Sequence, residues 1–496
     1  MSWMPAACVL VSLAAAALIL LSRRSPRLRE TWTLLAAFVK FGLVASLAHN
    51  VIQGKVVECR ILSIASGLDL KLRADGLGIV FALVASSLWI LTSFYSIGYI
   101  RGAGEKRATR YFASFAVCLS ATMGIAFSAN VLTFVLFYEM LTLATYPLVV
   151  HKQTPEAISA GRKYLVYTLS AGLCLFAATG WTYLSAGTLE FTAGGFLHEA
   201  FRNGAFGRGG ILVLFALFMA GAGVKAGLMP LHSWLPSAMV APTPVSALLH
   251  AVAVVKAGVF AAARFVGFVF GPDLLREIGA WQILAWVSVV TIVVASLIAM
   301  AQDNLKRRLA YSTIGHLAYI VLGAALLTPS SWTGSVLHLV NHATMKITLF
   351  FCAGAVYVTA HKEKISELNG IGRRMPVTMV AFAAASVGLA GIPPVNGFAS
   401  KWYLAAGTLE AHRGFFLAML LLSGLLNAAY LFPIVHAAFF KRSDEHTRVE
   451  EASLLMLIPL CLTALVSVAL GIWPNLAFGF LGLAKGIAAS VVGGGP

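Results

Sequence analysis

The sequence predicts an all-α polytopic membrane protein with about 14 transmembrane helices. Of the 496 residues, 59% are hydrophobic and only 11% are charged, whereas soluble domains carry roughly 25% charged residues. Apolar runs of about 20 residues, the length that crosses a bilayer as a helix, recur along the whole chain. These runs are too continuous for the alternating strands of a membrane barrel. Helices are therefore the predicted spanning element.

Fourteen spans are predicted, and the gaps between them are too short for a soluble domain. The spans lie near 4–22, 31–53, 75–100, 111–128, 130–150, 162–187, 210–230, 243–270, 281–301, 308–327, 333–360, 376–410, 413–440 and 453–480. No basic segment precedes the first run, so it is predicted to be a spanning helix rather than a cleaved signal.

The distribution of Lys and Arg predicts the orientation. The odd-numbered loops hold more than twice as many basic residues as the even-numbered loops, with Arg264 counted among the latter. Cytoplasmic loops are the ones that carry the excess of Lys and Arg. The pattern therefore places the odd-numbered loops in the cytoplasm and both termini on the outer side of the membrane.

Several classes of function are disfavoured by composition and motifs. The net charge of +17 is spread over short loops, which favours topology signals and contacts with lipid headgroups over nucleic-acid binding. The six cysteines are scattered without CxxC spacing, so the sequence predicts no disulfide framework, metal centre or other cofactor. Motifs for nucleotide binding and for a hydrolase nucleophile are lacking as well.

Two spans are predicted to be broken. The seventh runs into Gly-Val-Lys-Ala-Gly-Leu-Met-Pro at 223–230, and the twelfth contains Gly-Ile-Pro-Pro at 391–394. Proline removes a backbone donor and disrupts a helix, and interrupted helices in corresponding positions indicate inverted repeats around an ion site. The predicted divisions are helices 1–3 in 1–110, a first five-helix repeat (spans 4–8) in 111–270, a second (spans 9–13) in 281–440, and a last helix with a tail in 441–496.

Five of the charged residues inside predicted spans are candidates for a charge pathway. They are Glu139, Lys225, Lys256, Lys346 and Lys401. A charge at the centre of a bilayer costs at least about 2.5–3.5 kcal/mol, so such residues usually mark an ion or proton pathway. Glu139 and Lys225 are predicted to form an ion pair that exchanges protons as it opens and closes; a static buried pair is the structural alternative.

Histidines accompany the lysines. His338, His342 and Lys346 recur at every fourth residue, which places them on one helix face, while His250 and His316 lie in neighbouring spans. Histidine changes charge near neutral pH, so these residues are predicted relay members. The alternatives are ordinary core histidines and, less favoured, a zinc site, which lacks a third ligand. Lys40 also lies in an apolar run, and we assign it no role at this stage.

The motifs resemble those of a known family. The matching stretches are Pro-Leu-His-Ser-Trp-Leu-Pro at 230–236, Ala-Pro-Thr-Pro-Val-Ser-Ala-Leu-Leu-His at 241–250, Asp-Asn-Leu-Lys-Arg-Arg-Leu-Ala-Tyr-Ser at 303–312, and Gly-Ile-Pro-Pro at 391–394. Over roughly 70–480 the chain resembles the antiporter-like subunits of Mrp-type cation/proton antiporters, respiratory complex I and membrane-bound hydrogenases. The chain resembles the D-type subunit of Mrp antiporters most, because it has a lysine at 401 and no long lateral helix.

The resemblance implies a midplane proton path through Glu139, Lys225, Lys256, Lys346 and Lys401. The implied function is proton translocation in a multi-subunit complex, with cation/proton antiport as the leading hypothesis and Na⁺ as a candidate second ion. Its partners would be other membrane subunits and the lipid bilayer. A proton-pumping subunit of a complex I-like oxidoreductase, a hydrogenase or a formate hydrogenlyase is the main alternative. An anion transporter and a scaffold with frozen ion pairs are weaker ones.

Overall fold

A computed structural model describes residues 2–65, 67–442 and 448–493. This part of the chain is almost entirely helical, as the sequence predicts. The α-helices are α1 (Met4–Leu21), α2 (Pro26–Ile52), α3 (Gly76–Gly102), α4 (Ala108–Phe127), α5 (Val131–Val149), α6 (Pro155–Ala186), α7 (Leu197–Arg202), α8 (Arg208–Ala226), α9 (Trp234–Ser237), α10 (Thr243–Ala247), α11 (Val254–Phe265), α12 (Pro272–Ile278), α13 (Ala280–Met300), α14 (Leu305–Ala325), α15 (Pro329–Ala360), α16 (Ile371–Arg374), α17 (Pro376–Ala390), α18 (Gly397–Glu410), α19 (Gly414–Phe440), α20 (Leu454–Ile472) and α21 (Leu476–Val492). Short 3₁₀ segments occupy Ala238–Val240 and Ile365–Glu367, and π-helical segments occupy Leu248–Val252 and Val266–Phe270.

Twelve segments in the described part are long and apolar enough to cross a membrane. Two of the predicted spans are not among them. The tenth corresponds to α14, whose first turn carries Lys306, Arg307 and Arg308, and the twelfth is divided into the shorter helices α17 and α18. The multi-span helical fold is confirmed, while the count of fourteen crossings stays a prediction.

Both predicted breaks lie where glycine ends a helix. Gly227 terminates α8 with φ +70°, and Gly391 terminates α17 with φ +89°. Glycine adopts this left-handed conformation without the steric cost of a Cβ atom. Pro230 and Pro393 follow within a few residues and cannot continue a helix. The chain then resumes as α9 at Trp234 and as α18 at Gly397.

A β-hairpin fills the loop predicted between the second and third spans. Strand β1 (Val57–Ala65) pairs antiparallel with strand β2 (Leu68–Ala74). Lys71 on β2 lies 3.2 Å from the carboxylate of Glu58 on β1, and Asn130 at the start of α5 donates to the carbonyl of Asp69 at 2.7 Å. The hairpin therefore ties the end of α2 to the start of α5.

The fourteenth predicted span, near 453–480, ends earlier in the structure. Helix α20 stops at Ile472, and α21 begins at Leu476 with left-handed backbone at Ala477 and Gly479. Pro474, which has no backbone N–H, lies in the break. Helices α20 and α21 both pack against α15. The predicted tail in 441–496 therefore contains a helix, while residues 443–447 and 494–496 lie outside the described part.

Arg264 is not a loop residue, although the predicted orientation counts it among the basic residues of the even-numbered loops. It lies in α11 with a fully buried side chain, and its guanidinium binds the Asp75 carboxylate through Nη1–Oδ2 at 2.5 Å and Nη2–Oδ1 at 2.9 Å. The rings of Phe191, Phe260 and Phe268 surround it. The prediction was wrong because a buried bidentate ion pair compensates the charge inside the protein.

Helix α15 forms the centre of the second half of the molecule. It packs against α14, α17, α18, α20, α21 and α3. The residues from Ser331 to Val356 in α15 are all buried, so a side chain on any of its faces meets protein rather than lipid. This placement puts His338, His342 and Lys346 in the interior.

Candidate functional site

Lys225 and Glu139 lie close together without a direct ion pair. Lys225 is fully buried in the last turn of α8. Its Nζ donates to the carbonyl of Tyr138 at 2.5 Å and lies 3.4 Å from the centre of the Tyr138 ring. In the described part of the chain Nζ does not come within 4.0 Å of the Glu139 carboxylate, although the two charges interact electrostatically. The predicted ion pair is therefore not formed in this structure, and its opening and closing stays a prediction.

The Glu139 carboxyl group occupies a position that a glycine makes available. A Cβ atom on Gly172 of α6 would lie 2.6 Å from Cδ of Glu139 and 2.7 Å from its Oε1. Oε1 is buried and has no hydrogen-bond partner among the described residues. A buried acceptor without a partner is costly. Binding a proton, or moving toward Lys225, would therefore lower the free energy of the carboxyl group.

Lys256 is in direct contact with a histidine. Its Nζ lies 2.9 Å from Nδ1 of His342 and donates to the carbonyl of Leu339 at 3.0 Å. Both side chains are fully buried. A lysine ammonium can donate a proton across such a contact and the neutral imidazole can accept one. This pair joins α11 to α15 at a contact that can transfer a proton.

Three histidines form a cluster at the centre of the second half. Nδ1 of His316 lies 3.1 Å from Nε2 of His338, and the ring centre of His316 lies 5.4 Å from that of His342. Nδ1 of His338 lies 2.8 Å from the hydroxyl of Ser400 on α18. Nε2 of His316 and Nε2 of His342 are buried without partners in the described structure. The cluster therefore has free proton-binding positions.

A file of hydrogen bonds connects Lys346 to Lys401. Nζ of Lys346 donates to Ser312 at 2.6 Å, and the Ser312 hydroxyl lies 2.7 Å from that of Tyr430. Tyr430 donates to Oδ1 of Asn427 at 2.7 Å. The Asn427 amide and Nζ of Lys401 both donate to the carbonyl of Leu389, at 3.2 Å and 2.7 Å. Leu389 belongs to the turn before the second break, and its backbone carbonyl accepts both of these hydrogen bonds.

His250 stands apart from these hydrogen bonds. It lies in the π-helical segment Leu248–Val252, its ring stacks on Phe350 with centres 4.8 Å apart, and both ring nitrogens are buried without a partner among the described residues. No described hydrogen bond links it to Lys256, and none joins Lys225 to Lys256. The structure thus brings the predicted residues together in two groups, Glu139 with Lys225, and Lys256 through Lys401.

Sequence reasoning missed the uncharged members of the site. These residues are Tyr138, Gly172, Ser312, Asn427, Tyr430, Ser400 and Tyr319, whose ring centre lies 5.2 Å from Nζ of Lys401. Asn427 and Tyr430 lie one turn apart in the mostly apolar helix α19, and that spacing was the available signal. Tyr138 and Gly172 gave none, because only the packing of α5, α6 and α8 shows that they border the charges.

The described residues offer no group of three or more His, Cys, Asp or Glu side chains arranged to hold a metal ion. A large cavity, about 1010 Å³, lies elsewhere, between the end of α2, the hairpin and α21. None of the site residues lines it. The chemistry that the arrangement supports is the movement of protons between buried amines, imidazoles, hydroxyls and one carboxylate.

Comparisons with known proteins identify the family of the chain. Residues 128–427 match the family described as "NADH:quinone oxidoreductase/Mrp antiporter, TM". The N subunit of NADH-quinone oxidoreductase from Desulforudis audaxviator is 32% identical over 74% of the chain and 73% of its own length. A probable K⁺/H⁺ antiporter protein of Rhizobium meliloti, its A/B subunit, is 32% identical over 89% of the chain and 44% of its own length. The chain thus spans less than half of that relative.

A further relative and two solved structures extend the comparison. The A1 subunit of a Na⁺/H⁺ antiporter from Staphylococcus haemolyticus is 30% identical over 83% of the chain, which spans about half (53%) of that relative's length. An Mrp complex from Dietzia sp. contains a chain with a TM-score of 0.86 and 21% identity, covering 99% of this chain and 98% of that one. An archaeal membrane-bound sulfane sulfur reductase gives 0.87 and 24%, with the same coverage. At these identities the two structures establish the fold alone. From the family match and the first relative, the chain belongs to the NADH:quinone oxidoreductase/Mrp antiporter transmembrane family.

Proposed function

We propose that the chain is a proton-translocating subunit of a multi-subunit membrane complex that exchanges a monovalent cation, with Na⁺ the first candidate, for protons. The observation that carries the proposal is the buried file from Lys256 to Lys401. Lys256 contacts His342 and His316 contacts His338 within hydrogen-bonding distance. Further hydrogen bonds lead from Lys346 toward Lys401, and water would have to bridge the intervals between these contacts. Burial of so many ionisable groups at membrane depth is costly and marks a transport path.

The proposed step begins at the Glu139–Lys225 pair. When the carboxylate approaches Lys225, their attraction favours the charged form of both groups. When they separate, as in this structure, the proton on Lys225 becomes easier to release toward the second group. Lys256 passes a proton to His342, and the histidine cluster and the Lys346 file carry charge toward Lys401. Water would have to bridge the interval between Lys225 and Lys256.

The relatives support antiport and leave a second interpretation open. Two of them are named as Na⁺/H⁺ and K⁺/H⁺ antiporter subunits, and another as a subunit of NADH-quinone oxidoreductase. The alternative is therefore a proton-pumping membrane subunit of a redox complex. Purification of the intact complex distinguishes the two, because a redox complex would bring iron–sulfur or quinone-binding subunits with it. We also propose that the chain corresponds to the D-type subunit of Mrp antiporters and that it contains two inverted five-helix repeats.

The test is cation/proton exchange in everted vesicles that contain the complete complex. We expect Glu139→Ala and Lys225→Ala to abolish exchange, because each removes one half of the switching pair. Lys485→Ala is the matched control, since Lys485 is an exposed lysine of α21. Full exchange in both site variants, with the complex assembled, would exclude the proposed path.

A further inference from the structure

The large cavity beside the β-hairpin lies at one end of the helix bundle. Its walls include the last two residues of α2, Val51 and Ile52, and the first two residues of α3, Gly76 and Leu77. Both helices are candidate membrane spans, so the cavity lies at the level where these spans end and where lipid headgroups begin. Its volume of about 1010 Å³ matches the largest ligand pockets, which measure roughly 300–1,000 Å³.

Helix α21 gives this cavity an apolar wall. The wall is formed by Phe478, Leu483 and Ile487, and the π-helical segment Val266–Phe270 adds Phe268 to the lining. Gly486 lines the cavity as well, and a Cβ atom there would meet nothing within 4 Å. The space beside α21 can therefore hold a long apolar group, whose removal from water is favourable.

The charges in the lining leave one positive group unpaired. Asp75 is the acidic residue of the lining, and both of its carboxylate oxygens bind Arg264. Arg73 lies 3.6 Å from the carboxylate of Glu190, which compensates part of its charge. The side chain of Lys55 is exposed and has no hydrogen bond or ion pair with any described residue. This end of the cavity is therefore complementary to an anion.

We propose that the cavity binds an anionic phospholipid, with its phosphate at Lys55 and an acyl chain along the α21 wall. A lysine ammonium offers three donors to phosphate oxygens, and basic residues at headgroup level attract anionic lipids. A soluble anion would occupy only the charged end and leave the apolar wall in water, so the lining favours a lipid. The proposal does not depend on the proton path, because none of the residues assigned to that path lines the cavity.

A helix of another subunit is the competing occupant. Gly479, Gly482 and Gly486 all line the cavity, and small residues allow membrane helices to approach closely. An apolar helix, however, would leave the Lys55 ammonium without an anionic partner. A phospholipid complements both the charge and the apolar wall, and the two occupants predict different labelling by a lipid probe.

The test is photo-labelling of the assembled, detergent-solubilised complex with a phosphatidylglycerol analogue that carries a diazirine in one acyl chain. We expect label in peptides from α21, increasing with lipid concentration. Lys55→Gln should lower the apparent affinity about fivefold, the loss expected for one basic residue near an anionic headgroup. Gly486→Leu should lower it roughly tenfold, because the new side chain displaces about two CH₂ groups of the acyl chain.

Each variant has a matched control. Lys485→Gln removes an exposed lysine of α21 that does not line the cavity. Gly180→Leu changes a glycine of α6 that lies outside the cavity and whose Cβ position is equally open. Both controls should be labelled like the unmodified complex. A phosphatidylcholine analogue with the same chains should label α21 more weakly, because its headgroup is not anionic.

Three results would overturn the proposal. Unchanged labelling of α21 in Lys55→Gln, or equal labelling by the phosphatidylcholine analogue, would show that the cavity does not select an anionic headgroup. Absence of label from α21 in the assembled complex would mean that another subunit covers the cavity. If Gly486→Leu prevents assembly, Lys55→Gln decides the question, because Lys55 lies in an exposed loop.

Discussion

At the scale of single residues, the site depends on small side chains that leave room for charged ones. The carboxyl group of Glu139 fills the space that a side chain at position 172 would need, and Lys401 does the same at Gly391, where a Cβ atom would lie 2.6 Å from its Cδ. Glycine at these two positions decides where the charged groups rest. A charged residue inside a membrane helix therefore does not locate the site by itself. The glycine that faces it is needed as well, because its missing side chain leaves the space that the charged group fills.

Gly172→Ala tests this spatial argument. The added methyl group must displace the Glu139 carboxyl group, and we expect cation/proton exchange to fall at least severalfold while the complex still assembles. Gly180→Ala in the same helix is the control, since a Cβ atom there meets nothing within 4 Å and alanine favours a helix by about 0.5–1 kcal/mol over glycine. An unchanged rate in Gly172→Ala would show that the position of the carboxyl group is unimportant.

The hydroxyl of Tyr430 gives a second prediction at this scale. Tyr430→Phe keeps the buried ring but removes the group between Ser312 and Asn427. We expect the rate of proton-coupled exchange to fall while the thermal stability of the complex changes by about 1 kcal/mol, the usual net value of one hydrogen bond. Tyr311→Phe, in the neighbouring helix α14, is the control. Equal rates for both variants would mean that protons bypass Tyr430.

At the scale of elements, an ion pair fixes the start of α3 to α11. The Asp75 side chain accepts from the backbone N–H of Gly78 and so caps α3, while both carboxylate oxygens bind Arg264. The cap satisfies a backbone donor that the first turn leaves unpaired. Asp75 thus follows a hairpin strand, caps one helix and neutralises a charge inside a second helix.

Asp75→Ala should therefore be unusually destabilising. Removing one partner of a buried pair typically costs about 3–5 kcal/mol because the other charge stays buried without compensation. Asp273→Ala is the control, since its partner Arg276 is exposed and exposed pairs contribute roughly 0–1 kcal/mol. Thermal unfolding of the solubilised protein measures both. Similar losses of unfolding free energy in the two variants would contradict a stabilising role of the Asp75–Arg264 pair. The double variant Asp75→Ala/Arg264→Met should recover part of the stability, because it removes the uncompensated charge.

At the scale of the whole molecule, the buried charges run from α2 across to α18. Lys40, Lys225, Lys256 and Lys346 lie in four different helices and are fully buried, and Lys401 is partly buried in a fifth. Broken helices supply carbonyl groups beside Lys401, and α15 supplies the histidines. Because each end of the site belongs to a different helix pair, movement of one half of the molecule against the other would change the distances along the file.

The orientation of the chain gives a prediction at this scale. The basic loops predict that residue 106 faces the cytoplasm and residue 55 faces outward. We expect Lys55→Cys to react with a membrane-impermeant thiol reagent in intact cells, and Lys106→Cys to react only in everted vesicles. The background is a chain without Cys174 and Cys461, whose side chains are partly exposed, whereas Cys8, Cys59, Cys118 and Cys352 are buried. The opposite labelling pattern would reverse the assigned topology.

The amino-acid sequence alone is enough to predict a helical membrane protein, the two places where helices break, and five charged residues at membrane depth. Those features follow from hydropathy, proline and glycine, which act locally. Only the folded chain shows how these groups are placed: Glu139 and Lys225 lie close together without an ion pair, Lys256 contacts His342 directly, His250 is isolated, and hydrogen bonds run through Tyr430. It also shows that Arg264 lies inside helix α11 and that the last predicted span is divided into α20 and α21. The physical reason is that contacts between helices depend on packing between segments that lie far apart in the chain. In addition, backbone carbonyls, hydroxyl groups and glycines have no charge or periodicity by which the sequence could predict their place in the site.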